Sequence, residues 1–187
     1  CICPGSRNTP LTIAFTNNKK FNSTSHIDER SAAYFGLGIS KKKNSPVVLI
    51  STSGTAIANF FPAIIESSLT RTPLIVITAD RPSYLLNTGE NQTINQQNIY
   101  GGYVRKFLDL GLPNDNLNEL TKKIISTYKS SMNDPPGPVH INVPFEEPII
   151  TKIIDNHNPS KEIIDEKNSE IKYTQDFEIT NLENSIL

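Results

Sequence analysis

Strand-length apolar runs alternate with helix-length segments along this chain, and that alternation constrains the fold more than any other feature. Val47–Ile50 and Leu74–Ala79 are continuous and rich in β-branched residues, the signature of strands buried on both faces. Val104–Leu110 and Val139–Val143 read as two more strands, Cys1–Cys3 as the end of a buried one, and Lys19–Ser25 as a short polar strand or the approach to one. Between them lie helices. Thr9 is the expected N-cap and Pro10 the first turn of a helix running to Thr16. Ser31–Ile39 is small and apolar and reads as a buried helix. Ala56–Leu69 reads as an apolar helix kinked by Pro62. Asn116–Met132 is amphipathic, with Leu117, Leu120, Ile124, Ile125 and Tyr128 on one side. Lys41–Pro46 reads as a polar turn, and Asn87–Asn98 as a loop rich in Asn and Gln. Strands alternating with helices through short loops predict βαβ units. The expected architecture is α/β, a three-layer αβα fold with a mainly parallel sheet covered on both faces.

Pro144-Phe-Glu-Glu-Pro148 closes this pattern, so one domain is expected over residues 1–150. From residue 151 to 187, Asn, Lys, Asp, Glu and Ser dominate, which predicts a linker or the beginning of a further domain. There is no initiator Met, and the first residues already look like the end of a strand, so a piece of a longer protein is expected. A net charge of -1 gives no field for nucleic acid or a membrane surface. No apolar run approaches the roughly 20 residues of a membrane helix, and no signal peptide is visible. The two cysteines, Cys1 and Cys3, stand one residue apart, a spacing that suits neither zinc nor a redox motif. A reducing, cytoplasmic setting is therefore expected. His26, His140 and His157 are scattered, and no metal site is assigned.

In parallel sheets ligands bind beyond the carboxyl ends of the strands. Four successive strands deliver polar residues there: Gly5-Ser6-Arg7, Asp28-Glu29-Arg30, Thr52-Ser53-Gly54-Thr55 and Asp80-Arg81-Pro82. Gly5, Ser6 and Arg7 combine backbone N–H groups, a hydroxyl and a guanidinium near a helix start, the parts of a carboxylate or phosphate site. Asp28 and Glu29 stand where a helix begins, which favours carboxylates. Taken singly, each has a plain structural explanation. Asp28 and Glu29 would be a capping pair, Arg7 a surface residue on a tight turn, and Arg81 a partner for Asp80. Asn91 and Gln92 would be solvated loop amides. No G-x-G-x-x-G, P-loop or G-x-S-x-G occurs. Gly36-Leu-Gly38 is explained by close packing within a helix.

Taken in order, these stretches are far more specific. Pro-Gly-Ser-Arg-Asn-Thr-Pro, Asp-Glu-Arg, Thr-Ser-Gly-Thr-Ala, Ala-Asp-Arg-Pro, Asn-Gln and His-Ile-Asn-Val-Pro-Phe together resemble the 2-succinyl-5-enolpyruvyl-6-hydroxy-3-cyclohexene-1-carboxylate synthases of menaquinone biosynthesis. The resemblance covers residues 2–150 and matches the N-terminal, pyrimidine-binding domain of these thiamine diphosphate enzymes. It implies decarboxylation of 2-oxoglutarate and addition of the resulting carbanion to isochorismate, with thiamine diphosphate as electron sink. It implies that Glu29 is the glutamate that hydrogen-bonds the aminopyrimidine ring nitrogen and activates the cofactor. Thr52, Ser53 and Gly54 would line the pyrimidine pocket. Ser6, Arg7, Arg81, Asn91 and Gln92 would hold isochorismate and nearby substrate carboxylates, a task guanidiniums suit by bidentate pairing. The family holds the diphosphate and Mg²⁺ through a Gly-Asp-Gly stretch and a downstream Asn, and Gly-Asp-Gly does not occur here. The resemblance further implies that the cofactor lies between this domain and the diphosphate-binding domain of a second subunit, in a homodimer or homotetramer, so that this chain holds half a site. The chain alone would be inactive and, with its apolar faces bare, prone to self-association. Two other readings remain: the corresponding domain of an acetolactate-synthase-like 2-oxoacid decarboxylase or synthase, and a non-catalytic α/β domain with an anion site.

Overall fold

Small side chains decide where the first long helix sits. In α2, Glu29–Lys43, the buried positions are Ala32, Ala33, Gly36, Leu37 and Ser40, a stripe at helical spacing. A Cβ on Gly36 would lie 2.7 Å from Leu49 Cδ2, so the missing side chain lets the helix approach the sheet closely. Gly38 meets nothing within 4 Å, and the packing expected of both glycines belongs to Gly36 alone.

The computed structural model describes residues 1–113 and 116–149. These fall within one compact unit, Cys1–Thr151. The expected linker over residues 151–187 lies outside the described residues. The strands β1 (Val47–Ser51), β2 (Leu74–Asp80), β3 (Lys106–Asp109) and β4 (Val139–Pro144) form one sheet in the order β1-β2-β4-β3. All neighbours are parallel, with Leu49, Val76 and His140 in register. The opening residues run beside β1 as expected but are reduced to single parallel bridges, Ile2 to Ile50 on one side and Ile2 to Ser25 on the other. The other helices are α1 (Thr9–Thr16), α3 (Ala56–Asn59), α4 (Phe61–Leu69) and α5 (Leu117–Met132).

The β1-to-β2 and β3-to-β4 connections run in opposite directions along the sheet, so right-handed crossovers put their helices on opposite faces. On one face α2, α3 and α4 pack together, and α2 also packs on β1. That face carries the core: Ala32, Ala33, Leu49, Ile57, Phe60, Ile64 and Val76 are all fully buried. Tyr100 joins it, its hydroxyl donating to the Ile57 carbonyl at 2.7 Å. On the other face α5 packs on β2, β3 and β4. Cover is incomplete there, against expectation: Val48, Ile75 and Ile77 are only half-buried.

Local differences have local causes. Asn8, not Thr9, is the N-cap residue of α1, and Thr9 is the first helical residue. The buried Asn8 amide both donates to Cys3 O at 2.9 Å and accepts from Gly5 N–H at 2.8 Å, closing the turn in a way a hydroxyl could not span. Pro62 splits the expected single helix into α3 and α4 at Phe60. Lys41–Lys43 form the last turn of α2, where cations suit the dipole, and the turn begins at Asn44 in the left-handed region with φ 49°. Helix α5 meets the sheet through Thr127 and Ser131, both buried with hydroxyls bonded to their own helix. Its expected apolar side is largely outside: Leu117, Ile124, Ile125 and Tyr128 are exposed. Small hydroxyl residues allow close approach, while Leu117 and Leu120 line a shallow cavity against Val143 and Pro144.

Candidate active site

The carboxyl ends of the strands bring the expected turns together. Gly5 lies against Thr52 so tightly that a Cβ on it would fall 2.5 Å from Thr52 Cβ. This contact joins the Pro4–Asn8 turn to the end of β1. Thr52 and Ser53 are buried, and Gly54 has φ +81°, where a side chain is strained. A Cβ on Gly54 would also collide with Gln92 Cγ and Gln92 O, each at 2.7 Å. Gln92 thus forms a wall of this turn, and its amide donates to Ser53 O at 3.0 Å. It is a structural clasp as well as a loop amide. Ser6 and Asn91 are exposed on the rim.

Beneath these turns runs a buried polar network. Asn142 Nδ2 donates to Asp80 Oδ2 at 2.8 Å, and Asn142 Oδ1 accepts from Thr78 Oγ1 at 2.9 Å and from Gln96 Nε2 at 3.0 Å. Gln96 Oε1 in turn accepts from Gly54 N–H at 2.8 Å. Because the Thr78 hydroxyl spends its proton on Asn142, it must accept from His140 Nε2, 2.8 Å away. His140 is therefore the neutral Nε2–H tautomer, and its Nδ1 has no partner. Burial pushes its pKa down to about 3. Burial also raises Asp80, against the hydrogen bonds from Asn142 and the Arg81 N–H.

Two guanidiniums converge above this network. Arg81 Nη1 donates to Ser53 Oγ at 2.6 Å and to Gln92 O at 2.8 Å. The expected Arg81–Asp80 pairing is made only by the Arg81 backbone N–H, at 2.7 Å, while the side chain turns toward the Ser53 loop. The Asp80 carboxylate instead serves the network below. Arg7 Nη1 donates to Phe145 O at 2.9 Å and Nη2 to Glu147 Oε1 at 2.7 Å. The Nε atoms of both arginines are buried without a partner. Burial lowers the Arg81 pKa, and the neighbouring charge of Arg7 lowers it further. A cavity of about 290 Å³ opens beside Arg81, with Asp80, Gln97, Asp109 and Pro144 in its wall.

Glu29 opens α2, four residues after the Ser25 bridge to Ile2. Asp28 supplies the helix cap, accepting from Ser31 N–H at 2.7 Å, and the Ser31 side chain, then this N–H, hold its carboxyl below the usual range. Glu29 is therefore not needed as a cap. It is half-buried, and its carboxylate has no hydrogen bond or ion pair among the described residues. Cys3 lies within its electrostatic reach, its thiol pushed up to about 12 by burial and then by the charge of Glu29. Glu29 and the two arginines share the sheet edge, but the cavity wall at Arg81 includes neither Glu29 nor Arg7.

Sequence reasoning missed Thr78, Gln96, Asn142 and Glu147. Asn142 had a signal: with His140 it places polar residues at alternate positions of an otherwise apolar strand, hence on one buried face. Gln96 is indistinguishable in sequence from its neighbours in an amide-rich loop. Among the described residues no group of three or more His, Cys, Asp or Glu could hold a metal ion. No described helix is long and apolar enough to cross a membrane.

A parallel αβα layer fold, with a free carboxylate and a polar turn at the carboxyl edge, agrees with the comparison to known families. Residues 1–99, more than half of the chain, match the thiamine pyrophosphate enzyme, N-terminal TPP binding domain. The chain belongs to that family. Among curated proteins it is 48% identical over 157 residues to the 2-succinyl-5-enolpyruvyl-6-hydroxy-3-cyclohexene-1-carboxylate synthase of Pelodictyon phaeoclathratiforme, covering 83% of this chain and 26% of that protein. It is 47% identical over 152 residues to the synthase of the same name from Haloquadratum walsbyi, covering 80% and 25%. With that of Halobacterium salinarum the identity is 45% over 152 residues, covering 80% and 26%. The chain thus spans about a quarter of the length of these relatives.

Proposed function

We propose that this chain is the pyrimidine-binding part of a thiamine diphosphate-dependent synthase that decarboxylates 2-oxoglutarate and joins the product carbanion to isochorismate. The observation that carries the reading is the Glu29 carboxylate, half-buried at a helix start and left without a partner because Asp28 does the capping. A carboxylate so placed is available to a ring nitrogen at hydrogen-bond distance, roughly 2.6–3.2 Å. When bound, thiamine diphosphate supplies the sink for the electrons freed by decarboxylation.

The residues fit one end of that cofactor. Thr52, Ser53 and Gly54 offer a buried polar turn with its backbone fixed from below by Gln96, a suitable wall for the pyrimidine. They do not offer a diphosphate or Mg²⁺ site, because Gly-Asp-Gly is absent from the sequence. We assign those groups to a diphosphate-binding domain on a second subunit of a cytoplasmic homo-oligomer. Arg81 has Nη2 unspent among the described residues and can bind a substrate carboxylate; Gln92 lies against it, and Ser6, Arg7 and Asn91 are the further residues we assign to the substrate.

The reading is tested by supplying the missing half. United with a diphosphate-binding partner and Mg²⁺, the chain should support turnover of 2-oxoglutarate with isochorismate in preference to pyruvate. Glu29→Gln should lower that rate by about 10²-fold or more and leave the fold unchanged. A preference for pyruvate would move the chain to the acetolactate-synthase-like class, and near-normal turnover by the variant would remove Glu29 from the chemistry.

A further inference from the structure

Arg7 is not free to receive a ligand as the chain stands. Both of its terminal nitrogens are spent on the segment that leaves β4: Nη1 on Phe145 O and Nη2 on Glu147 Oε1. Phe145 is anchored by its own N–H on Asp80 O at 3.0 Å, and Glu146 accepts from Tyr84 O–H at 2.6 Å. The strap therefore reaches the site from the far side and lays one carboxylate across a guanidinium.

The burial of the pair is lopsided. The Arg7 side chain is 7% exposed and that of Glu147 is 69% exposed. A buried guanidinium needs an anion, because an uncompensated buried charge is expensive. An exposed glutamate loses little on letting go, because it returns to water and surface pairs are worth at most about 1 kcal/mol. A carboxylate brought to Arg7 by a molecule also held at Arg81 can replace Glu147 without leaving either charge stranded. Arg81 lies within the electrostatic reach of both Arg7 and Glu147. Glu90 and Asp80 lie within the same reach, but Asp80 takes only the Arg81 backbone N–H and Glu90 bonds to neither arginine among the described residues, so at rest the Arg81 guanidinium has no carboxylate bonded to it. With Glu147 displaced, the same site accepts two carboxylates.

Building on the substrate site proposed above, we propose that Glu147 is a specificity-determining residue: it occupies Arg7 in place of a ligand carboxylate and yields only to a small dicarboxylate that also engages Arg81. A monocarboxylate is satisfied by Arg81 alone and leaves the strap in place. The bridge is thus a count of carboxylates, set by an intramolecular competitor that lowers the apparent affinity for the second one.

The test uses the 187-residue chain with two probes, 3-(1-carboxyvinyloxy)benzoate as dicarboxylate and benzoate as monocarboxylate. Binding is followed by NMR through the Nε–H signals of Arg7 and Arg81, which are buried and lack acceptors. Glu147→Gln and Glu147→Ala should bind the dicarboxylate about fivefold more tightly than the wild type, the factor a surface-type pair supports. Benzoate affinity should be unchanged, and the dicarboxylate should shift the Arg7 signal where benzoate does not. Equal or weaker dicarboxylate binding by both variants, with binding still abolished in Arg81→Ala, overturns the role of Glu147 and leaves the site standing. Full binding by Arg81→Ala overturns the site itself. Failure of every form to bind either probe counts against both.

Discussion

His140 shows how much one buried side chain can say about solution behaviour. In the unfolded chain its imidazole takes up a proton near pH 6.5, whereas in the fold burial delays this to about pH 3. Between those values the unfolded state binds the extra proton. Its contribution to stability is therefore complete above about pH 6.5 and is lost as the pH falls, at up to about 1.4 kcal/mol per pH unit. Urea unfolding at pH 7, 6 and 5 should show this decline, and His140→Gln, which does not titrate, should flatten it. Parallel slopes for the two proteins would mean that another group governs. The histidine could be seen in the sequence, but its role could not. Its meaning depends on Thr78, sixty-two residues earlier, giving its proton to Asn142. Arg7 and Arg81 were legible as candidate site residues by type and position. Their partners, Glu147 and Gln92, lie 140 and 11 residues away, and no local pattern marks them.

At the scale of elements, the paired glycines of α2 separate packing from propensity. Gly36→Ala drives a methyl into Leu49, which is fully buried and cannot retreat. Overpacking of this kind costs about 1–3 kcal/mol. Gly38→Ala meets open space and should instead stabilise the helix by about 0.5–1 kcal/mol. Denaturant midpoints for the two variants should move in opposite directions, and a shared direction would mean that the helix does not sit on β1 as described. Strand positions were the most legible elements, because β1 and β2 are uninterrupted apolar runs that only a buried parallel sheet accommodates. Helix faces were less so. In α5 the apolar stripe pointed to one side, yet the fully buried residues are Thr127 and Ser131. Hydrophobicity alone cannot rank a small hydroxyl residue, satisfied by its own helix, above a bulky aliphatic one.

For the whole molecule, the thinly covered second face is the dominant feature. Val48, Ile75 and Ile77 are half-buried, and Leu117, Ile124, Ile125, Tyr128 and Met132 on α5 are exposed. Exposed apolar surface of this kind favours association. Sedimentation velocity should show concentration-dependent self-association of the chain, reduced by the double variant Ile125→Lys, Tyr128→Lys; a monomer at all concentrations would mean that the face is tolerated bare. The layered architecture and the site edge were both legible as a whole, because alternation of elements dictates them. The uneven cover was not, since it depends on what meets the sheet from outside. The uniform direction of the strands has one further use. The candidate site turns lie at the carboxyl end of the strands, whereas the Lys41–Pro46 turn enters β1 from the opposite end. The exposed Asn44–Ser45 hinge between α2 and β1 is already in a conformation that ends a helix. A fluorophore attached there would report on the molecule from the far side, leaving the working edge untouched.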